Sequence, residues 1–167
     1  MPEIDRATES DLDQIADLSA RSGLAFWSRE DYAGAAVSQN QLLLVARSAS
    51  EGLLGFILVR LLASGTGTCD IEVLNIAVEP DHKQRGIGTS LIRSALEQGN
   101  TNPESQVLLE VRASNYSAIG FYRRLGFKEQ SIRPAYYREP VEDSILFGAR
   151  AGDLILNISL GAKEDAI

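Results

Sequence analysis

The sequence predicts one α/β domain, a mixed sheet of six or seven strands with helices on both faces. Two observations predict it. Short apolar and β-branched runs alternate with amphipathic runs at helical spacing, in the order β, α, α, β, β, β, α, β, α, β, β. The longest apolar stretch, residues 53–59, is closed by Arg60, so it suits a buried strand and is too short to span a membrane. At 167 residues, 44% of them hydrophobic and 23% charged, the chain is long enough for one sizeable core.

Each element follows from a local signal. Residues 3–6 form a short first strand. Thr8 or Ser10 caps a helix that runs to Arg21, with Leu12, Ile15, Ala16 and Leu18 on its apolar side. Ser28-Arg-Glu-Asp31 has capping-box spacing, with aspartate in the reciprocal position, and opens a short second helix. Residues 41–46 and 53–62 are strands joined by the turn Ser48-Ala-Ser-Glu-Gly52. Gly65-Thr-Gly67 turns into the strand Ile71-Glu-Val-Leu-Asn-Ile-Ala-Val78. Pro80 ends that strand, because proline donates no ladder hydrogen bond. A helix over 86–98 stops at Gly99-Asn100. Residues 107–111 read as a buried strand, and 117–125 as a helix closed by Gly126. Residues 128–133 and 144–147 complete the sheet. The domain is placed at 1–150, with a C-terminal extension at 151–167. In that extension the alternation of Leu154, Leu156, Ile158 and Leu160 is a strand pattern, read as an extra edge strand or a partner-docking segment. Asn157-Ile-Ser159 matches a glycosylation sequon without further meaning in an intracellular chain.

Composition narrows the function classes. The formal charge of −7 argues against sequence-independent nucleic-acid binding. Cys69 is the only cysteine, which leaves no intrachain disulfide and no cysteine zinc cluster and fits a reducing compartment. Residues 1–6 are polar and lack the apolar core of a signal peptide. No metal-ligand spacing occurs, and the single histidine, His82, reads as a solvated loop residue. The expectation is a cytoplasmic protein that does not bind membranes, a monomer or weak dimer.

The loop Lys83-Gln-Arg-Gly-Ile-Gly88 is the first candidate site. It follows a strand and opens a helix whose first amides have no intrahelical partner, which makes it a candidate phosphate cradle. The dinucleotide fingerprint fails, because Leu91 stands where its third glycine belongs. The P-loop fingerprint fails too, because Thr89 and Ser90 follow Gly88 without a lysine. A tight turn with close strand–helix packing fits these glycines equally well.

The second half of the chain settles which cradle this is. It carries Leu109-Glu-Val-Arg-Ala-Ser-Asn115, then Phe121-Tyr-Arg-Arg-Leu-Gly-Phe127, then Arg133-Pro-Ala-Tyr-Tyr137. Together with Asn75-Ile-Ala-Val78 and the Gly86/Gly88 loop, in this order, these strings resemble the GCN5-related N-acetyltransferase (GNAT) superfamily. Within it they are most similar to the RimI-like enzymes, which acetylate the N-terminal alanine of a ribosomal protein. The resemblance runs from about residue 3 to residue 147 and is densest between 74 and 137. It implies the GNAT fold and acetyl-CoA as co-substrate. It also implies that acetyl passes directly to an N-terminal peptide in a ternary complex, since Cys69 matches no catalytic cysteine of the family. The family usually carries Gln or Arg at the first loop position. Lys83 keeps that charge without the planar fork.

Acetyl transfer to an amine needs a base, donors for the oxyanion and a proton for the leaving thiolate. Glu110 lies inside Val107-Leu-Leu-Glu-Val111, where a carboxylate is costly unless paired or used. Pairing with an arginine such as Arg112 and service as a base are both open on the residues alone. The resemblance implies the base. Glu72 is the rival, perched on the strand before the loop. Tyr122 shares a helix face with Ala118, Phe121 and Leu125, which by spacing is a core position. The resemblance implies the acid that protonates the thiolate. It also implies cofactor contacts at Ile76, Ala77, Val78, Lys83, Gln84, Arg85, Gly86, Ile87, Gly88, Thr89, Asn115 and Tyr122. Asn115 is equally a helix cap. Tyr136 and Tyr137, in a loop flanked by Pro134 and Pro140, suit peptide contact or hairpin packing. Phe26 and Trp27 face the acceptor groove in this fold, and Trp27 equally suits a hydrophobic staple before Ser28. The rival functions are a lysine or small-amine acetyltransferase and a non-catalytic acyl-CoA-binding module.

Overall fold

A computed structural model of the chain describes residues 2–24 and 26–164. Among these, seven strands and five α-helices run β1 (Glu3–Arg6), α1 (Leu12–Arg21), α2 (Arg29–Val37), β2 (Gln41–Ser48), β3 (Gly52–Ala63), β4 (Cys69–Val78), α3 (Ile87–Gln98), β5 (Gln106–Arg112), α4 (Tyr116–Leu125), β6 (Lys128–Arg138), β7 (Val141–Arg150) and α5 (Ala151–Glu164). The strands form one mixed seven-stranded sheet in the order β1-β2-β3-β4-β5-β7-β6. The chain divides into two compact units, Met1–Leu62 with Val73–Asn100, and Ala63–Glu72 with Thr101–Ile167. No helix among the described residues is long and apolar enough to cross a membrane.

In the first unit, β1, β2 and β3 pair antiparallel, with Leu44 opposite Arg6 on one side and Ile57 on the other. Residues 42–46 and 53–59 are buried without alternation, because both faces of these strands are covered. Leu12, Ile15 and Leu18 of α1 join Tyr32, Leu43, Val45, Phe56 and Leu58 in one core. The expected capping box forms. The Asp31 amide donates to Ser28 Oγ at 3.1 Å, and the Ser28 amide donates to Asp31 Oδ2 at 2.8 Å. The Trp27 and Tyr32 rings lie 5.6 Å apart, as a staple across the helix start requires. Gly55 sets the approach of β3 to β4. A Cβ there would stand 2.7 Å from the Ala77 carbonyl oxygen and 3.2 Å from Val78 Cα, atoms of the backbone that cannot swing aside.

In the second unit, β7 pairs antiparallel with both β5 and β6. The extension is a helix and corrects the edge-strand reading, although its last three residues lie outside the described ones. Ala151, Leu154 and Ile158, at spacings of three and four, are the residues that it buries. Its first amides find carbonyls of the loop between α3 and β5, Ala151 N–H to Ser105 at 2.9 Å and Gly152 N–H to Pro103 at 3.0 Å.

Asn157, inert as a sequon, closes the end of α4 by donating its side-chain amide to the Leu125 carbonyl at 3.0 Å. Next to it, Gly126 ends α4 at φ 103°, left-handed backbone that favours glycine. A Cβ at 126 would run into the Asn157 amide. Gly126→Ala is therefore expected to cost about 2–3 kcal/mol, the left-handed strain plus the lost bond. The midpoint of thermal unfolding should fall by roughly 4–12 °C. Asn157→Ala should cost only the bond, about 1 kcal/mol. Equal midpoints for Gly126→Ala and the parent would refute the account of this cap.

Candidate active site

The candidate residues fall into two groups, one in each unit. In the first unit, β4 ends at Val78 and a tight 3-10 turn over Pro80–His82 follows. Gln84 at φ 61° and Gly86 at φ 78° then reverse the chain into α3. Gly86 occupies the cap position of α3, so no side chain there consumes the first amides, and the first turn holds no acidic residue. The Gly86 carbonyl accepts the first helical bond from Ser90 N–H at 2.9 Å. Lys83, Gln84 and Arg85 are exposed, and Ile87 is buried beneath them. The loop thus offers unspent amides, positive dipole end and positive side chains at one place, a fit to a pyrophosphate. The positive φ of Gln84, a residue without glycine's freedom, had no signal in the sequence.

The strand that feeds this loop is pinned from two sides. Arg21 at the end of α1 holds Glu79 bidentately, at 2.8 and 3.2 Å. The Glu79 amide donates to the Leu54 carbonyl at 2.8 Å. Asn75, 4% exposed, donates to the Tyr32 hydroxyl at 3.1 Å, which donates to Ser19 Oγ at 2.7 Å. Burial pushes the Tyr32 phenol up, so it stays a donor. Ala77 is buried, while Ile76 and Val78 lie half-buried on the other face of β4. His82 departs from expectation. Its side chain is 14% exposed, with Nε2 3.3 Å from a Glu51 carboxylate oxygen, so it packs against the β2–β3 turn and is not solvated.

The second unit holds the candidate acid and base. Glu110, Arg112, Ser144 and Arg133 lie on one face of the β5-β7-β6 ladder, where Ser144 stands opposite both arginines in register. The surroundings of Glu110 are polar, not apolar as its own strand suggested. Oε1 is 3.2 Å from Arg133 Nη1, and Oε2 accepts the Ser144 hydroxyl at 3.2 Å. The partner is thus Arg133, not the sequence neighbour Arg112. Arg112 lies instead 4.0 Å over the Tyr137 ring and 3.4 Å from Glu142. Hydrogen bonds from Ser114 hold the Glu142 carboxyl below its ordinary range. Glu72 is half-buried in β4.

Tyr122 is buried, its ring 5.3 Å from Phe121, 5.6 Å from Phe127 and 6.3 Å from Phe147. Burial, and then the neighbouring Tyr137, push its phenol well up, so it is fully protonated at neutral pH. Asn115 is the cap of α4, accepting the Ala118 amide at 3.2 Å. Tyr136 and Tyr137 are not in a loop. Both belong to β6, Tyr136 within a bulge at residues 134–136 that the sequence read as a break and Tyr137 paired with Glu142 just past it. Ala135 sits there at φ 49°, and its amide donates to Asp143 Oδ1 at 2.9 Å. The two tyrosine rings meet edge to face at 5.2 Å. Phe26 and Trp27 part company. Phe26 is 94% exposed, and Trp27 is spent on the staple. The sequence reading gave Arg133, Ser144 and Glu142 no role in the site, although Arg133 stands in one of the strings that carry the family resemblance. The signal for that role lies in strand register.

The profile of the Acetyltransferase (GNAT) family matches residues 11–127. The ribosomal protein bS18-alanine N-acetyltransferase of Salmonella typhimurium is 40% identical over 79 residues, 46% of this chain, and the match spans 53% of that enzyme's length. The crystal structure of the ribosomal-protein-S18-alanine N-acetyltransferase from Escherichia coli superposes with a TM-score of 0.74 at 26% identity, covering 90% of this chain and 94% of that one. Arabidopsis thaliana NAA60 in complex with acetyl-CoA has the same fold, with a TM-score of 0.78 at 20% identity over 90% of this chain and 99% of that one.

Proposed function

The chain belongs to the acetyltransferase (GNAT) family, and from that premise we propose that it transfers acetyl from acetyl-CoA to the N-terminal α-amine of a protein. The named acceptor of its bacterial relatives makes a ribosomal protein beginning with alanine the favoured substrate. The single observation that carries the reading is a carboxylate and a protonated phenol in one unit, Glu110 on β5 and Tyr122 on α4. The amine nitrogen attacks the thioester carbonyl, the N–C bond forms and the C–S bond breaks. Glu110 takes the amine's proton, with Glu72 as the alternative base through water. Tyr122 gives its proton to the departing thiolate. The loop 83–89 and the amides of Ile76, Ala77 and Val78 hold the cofactor, and Asn115 adds a hydrogen bond beyond its cap. Phe26, Tyr136 and Tyr137 contact the acceptor peptide, with Trp27 supporting Phe26. Residues 1–150 form the catalytic domain and 151–167 a C-terminal extension, whose helix α5 braces α4 through Asn157. The enzyme works in the cytoplasm, where Cys69 stays reduced, as a monomer or weak dimer.

The acceptor follows from proton chemistry. An α-amine free in water loses its proton near pH 7.7–8.0, roughly, whereas a lysine side chain does so only at about 10.4, so one carboxylate suffices to free the α-amine at neutral pH. In a competition assay with acetyl-CoA, a peptide with a free N-terminal Ala or Ser is expected to be acetylated in preference to the same peptide with a blocked terminus and an internal lysine. Equal or faster acetylation of the blocked peptide would transfer the assignment to lysine or small amines.

A further inference from the structure

We propose that Ser144 is a positioning residue whose hydroxyl holds the Glu110 carboxylate in the orientation from which it accepts the amine's proton. The proposal rests on the reading of Glu110 as the base. Ser144 is 0% exposed, in the middle strand of the β5-β7-β6 ladder. It stands directly between Arg112 and Arg133, so the shortest side chain of the row lies between two of the longest. A hydroxyl buried there is costly unless it is bonded. Its bond goes to Glu110 Oε2 at 3.2 Å.

The two holds on Glu110 differ in kind. Arg133 takes Oε1 with a side chain 54% exposed and four torsions long, and its guanidinium also leans over the Tyr136 ring at 5.5 Å. A cationic acceptor amine approaching Glu110 competes with that guanidinium for the same oxygen and can displace it into water. Ser144 has one torsion and no solvent to turn to. It keeps Oε2 while Oε1 changes partners, so the carboxylate plane stays fixed through the exchange. Fixing the base in this way lowers the cost of reaching the productive geometry.

The test combines kinetics with a direct view of the carboxylate. Ser144→Ala is expected to lower kcat about tenfold, the worth of one hydrogen bond to a charged group. The KM for acetyl-CoA should not change, and Ser144→Thr should restore most of kcat. On a Glu110→Gln background Ser144→Ala should have no further effect, since the two act as one unit. The side-chain 13C carboxylate resonance of Glu110, identified by its loss in Glu110→Gln, should move in Ser144→Ala and return in Ser144→Thr. An unmoved resonance, or a kcat loss that persists in the Glu110→Gln background, overturns the proposal and leaves the base reading intact. A moved resonance with full turnover in Glu110→Gln overturns the base reading itself and with it the catalytic purpose of Ser144.

Discussion

Tyr122→Phe and Glu110→Gln each lower turnover by roughly 10²–10⁴-fold, the usual worth of a positioned acid or base, if both residues carry protons in the reaction. The two variants should differ in other respects. The Tyr122 ring packs among Phe121, Phe127 and Phe147, so phenylalanine keeps the packing and the loss reads the hydroxyl alone. Glutamine at 110 keeps one acceptor oxygen for the Ser144 hydroxyl but turns its amide nitrogen, a donor, toward Arg133, so the ion pair is lost. That pair is partly exposed, so little stability should be lost. Acetyl-CoA affinity should be nearly unchanged in both. Steady-state kinetics across substrate concentrations separates these effects, since an interaction made only in the transition state lowers kcat and kcat/KM alike. A fully active Glu110→Gln enzyme would move the base to Glu72 or to water, and a fully active Tyr122→Phe enzyme would leave the phenol a core residue.

The cofactor loop gives the second large effect. Acetyl-CoA at about a hundred times its Kd should stabilise the parent by about 2.7 kcal/mol. In a chain of this size that raises the unfolding midpoint by roughly 5–10 °C. Gly88→Asp should abolish this rise without harming the free protein. Position 88 lies in the first turn of α3, where a carboxylate favours the helix and repels a phosphate. The free variant should therefore melt no lower than the parent. Protection by ATP or NADH where acetyl-CoA gives none would show that the loop serves another ligand.

The parts of this layout legible in the sequence are those set by neighbours three or four residues apart. Ser28 and Asp31 announce their helix, and Gly126 announces an end. The glycines of the 83–88 loop mark a site because the backbone itself is the binding element. What depends on pairing register was not legible. Glu110 sits two residues from Arg112, yet its ion pair comes from Arg133 on β6, placed there by the alignment of three strands. Pro134 reads as a break, but the Asp143 side chain satisfies the bulge beside it and β6 continues. The extension misleads for a related reason. Its apolar residues satisfy a period of two as well as one of three and four. The choice falls to helix because Ser105 and Pro103 present carbonyls to its first amides.

That helix has a consequence for how the molecule opens. Asn157 completes the last turn of α4, and Ala151, Leu154 and Ile158 are buried. Releasing α5 from its place strips α4 of its terminal bond. The two helices should therefore exchange their amide hydrogens as one cooperative unit, with a shared opening free energy. Tyr122 lies on α4, so the packing that fixes its ring and raises its phenol pKa lasts only while that unit is closed. The far end of the chain thus sets how long the proposed acid remains in its working state.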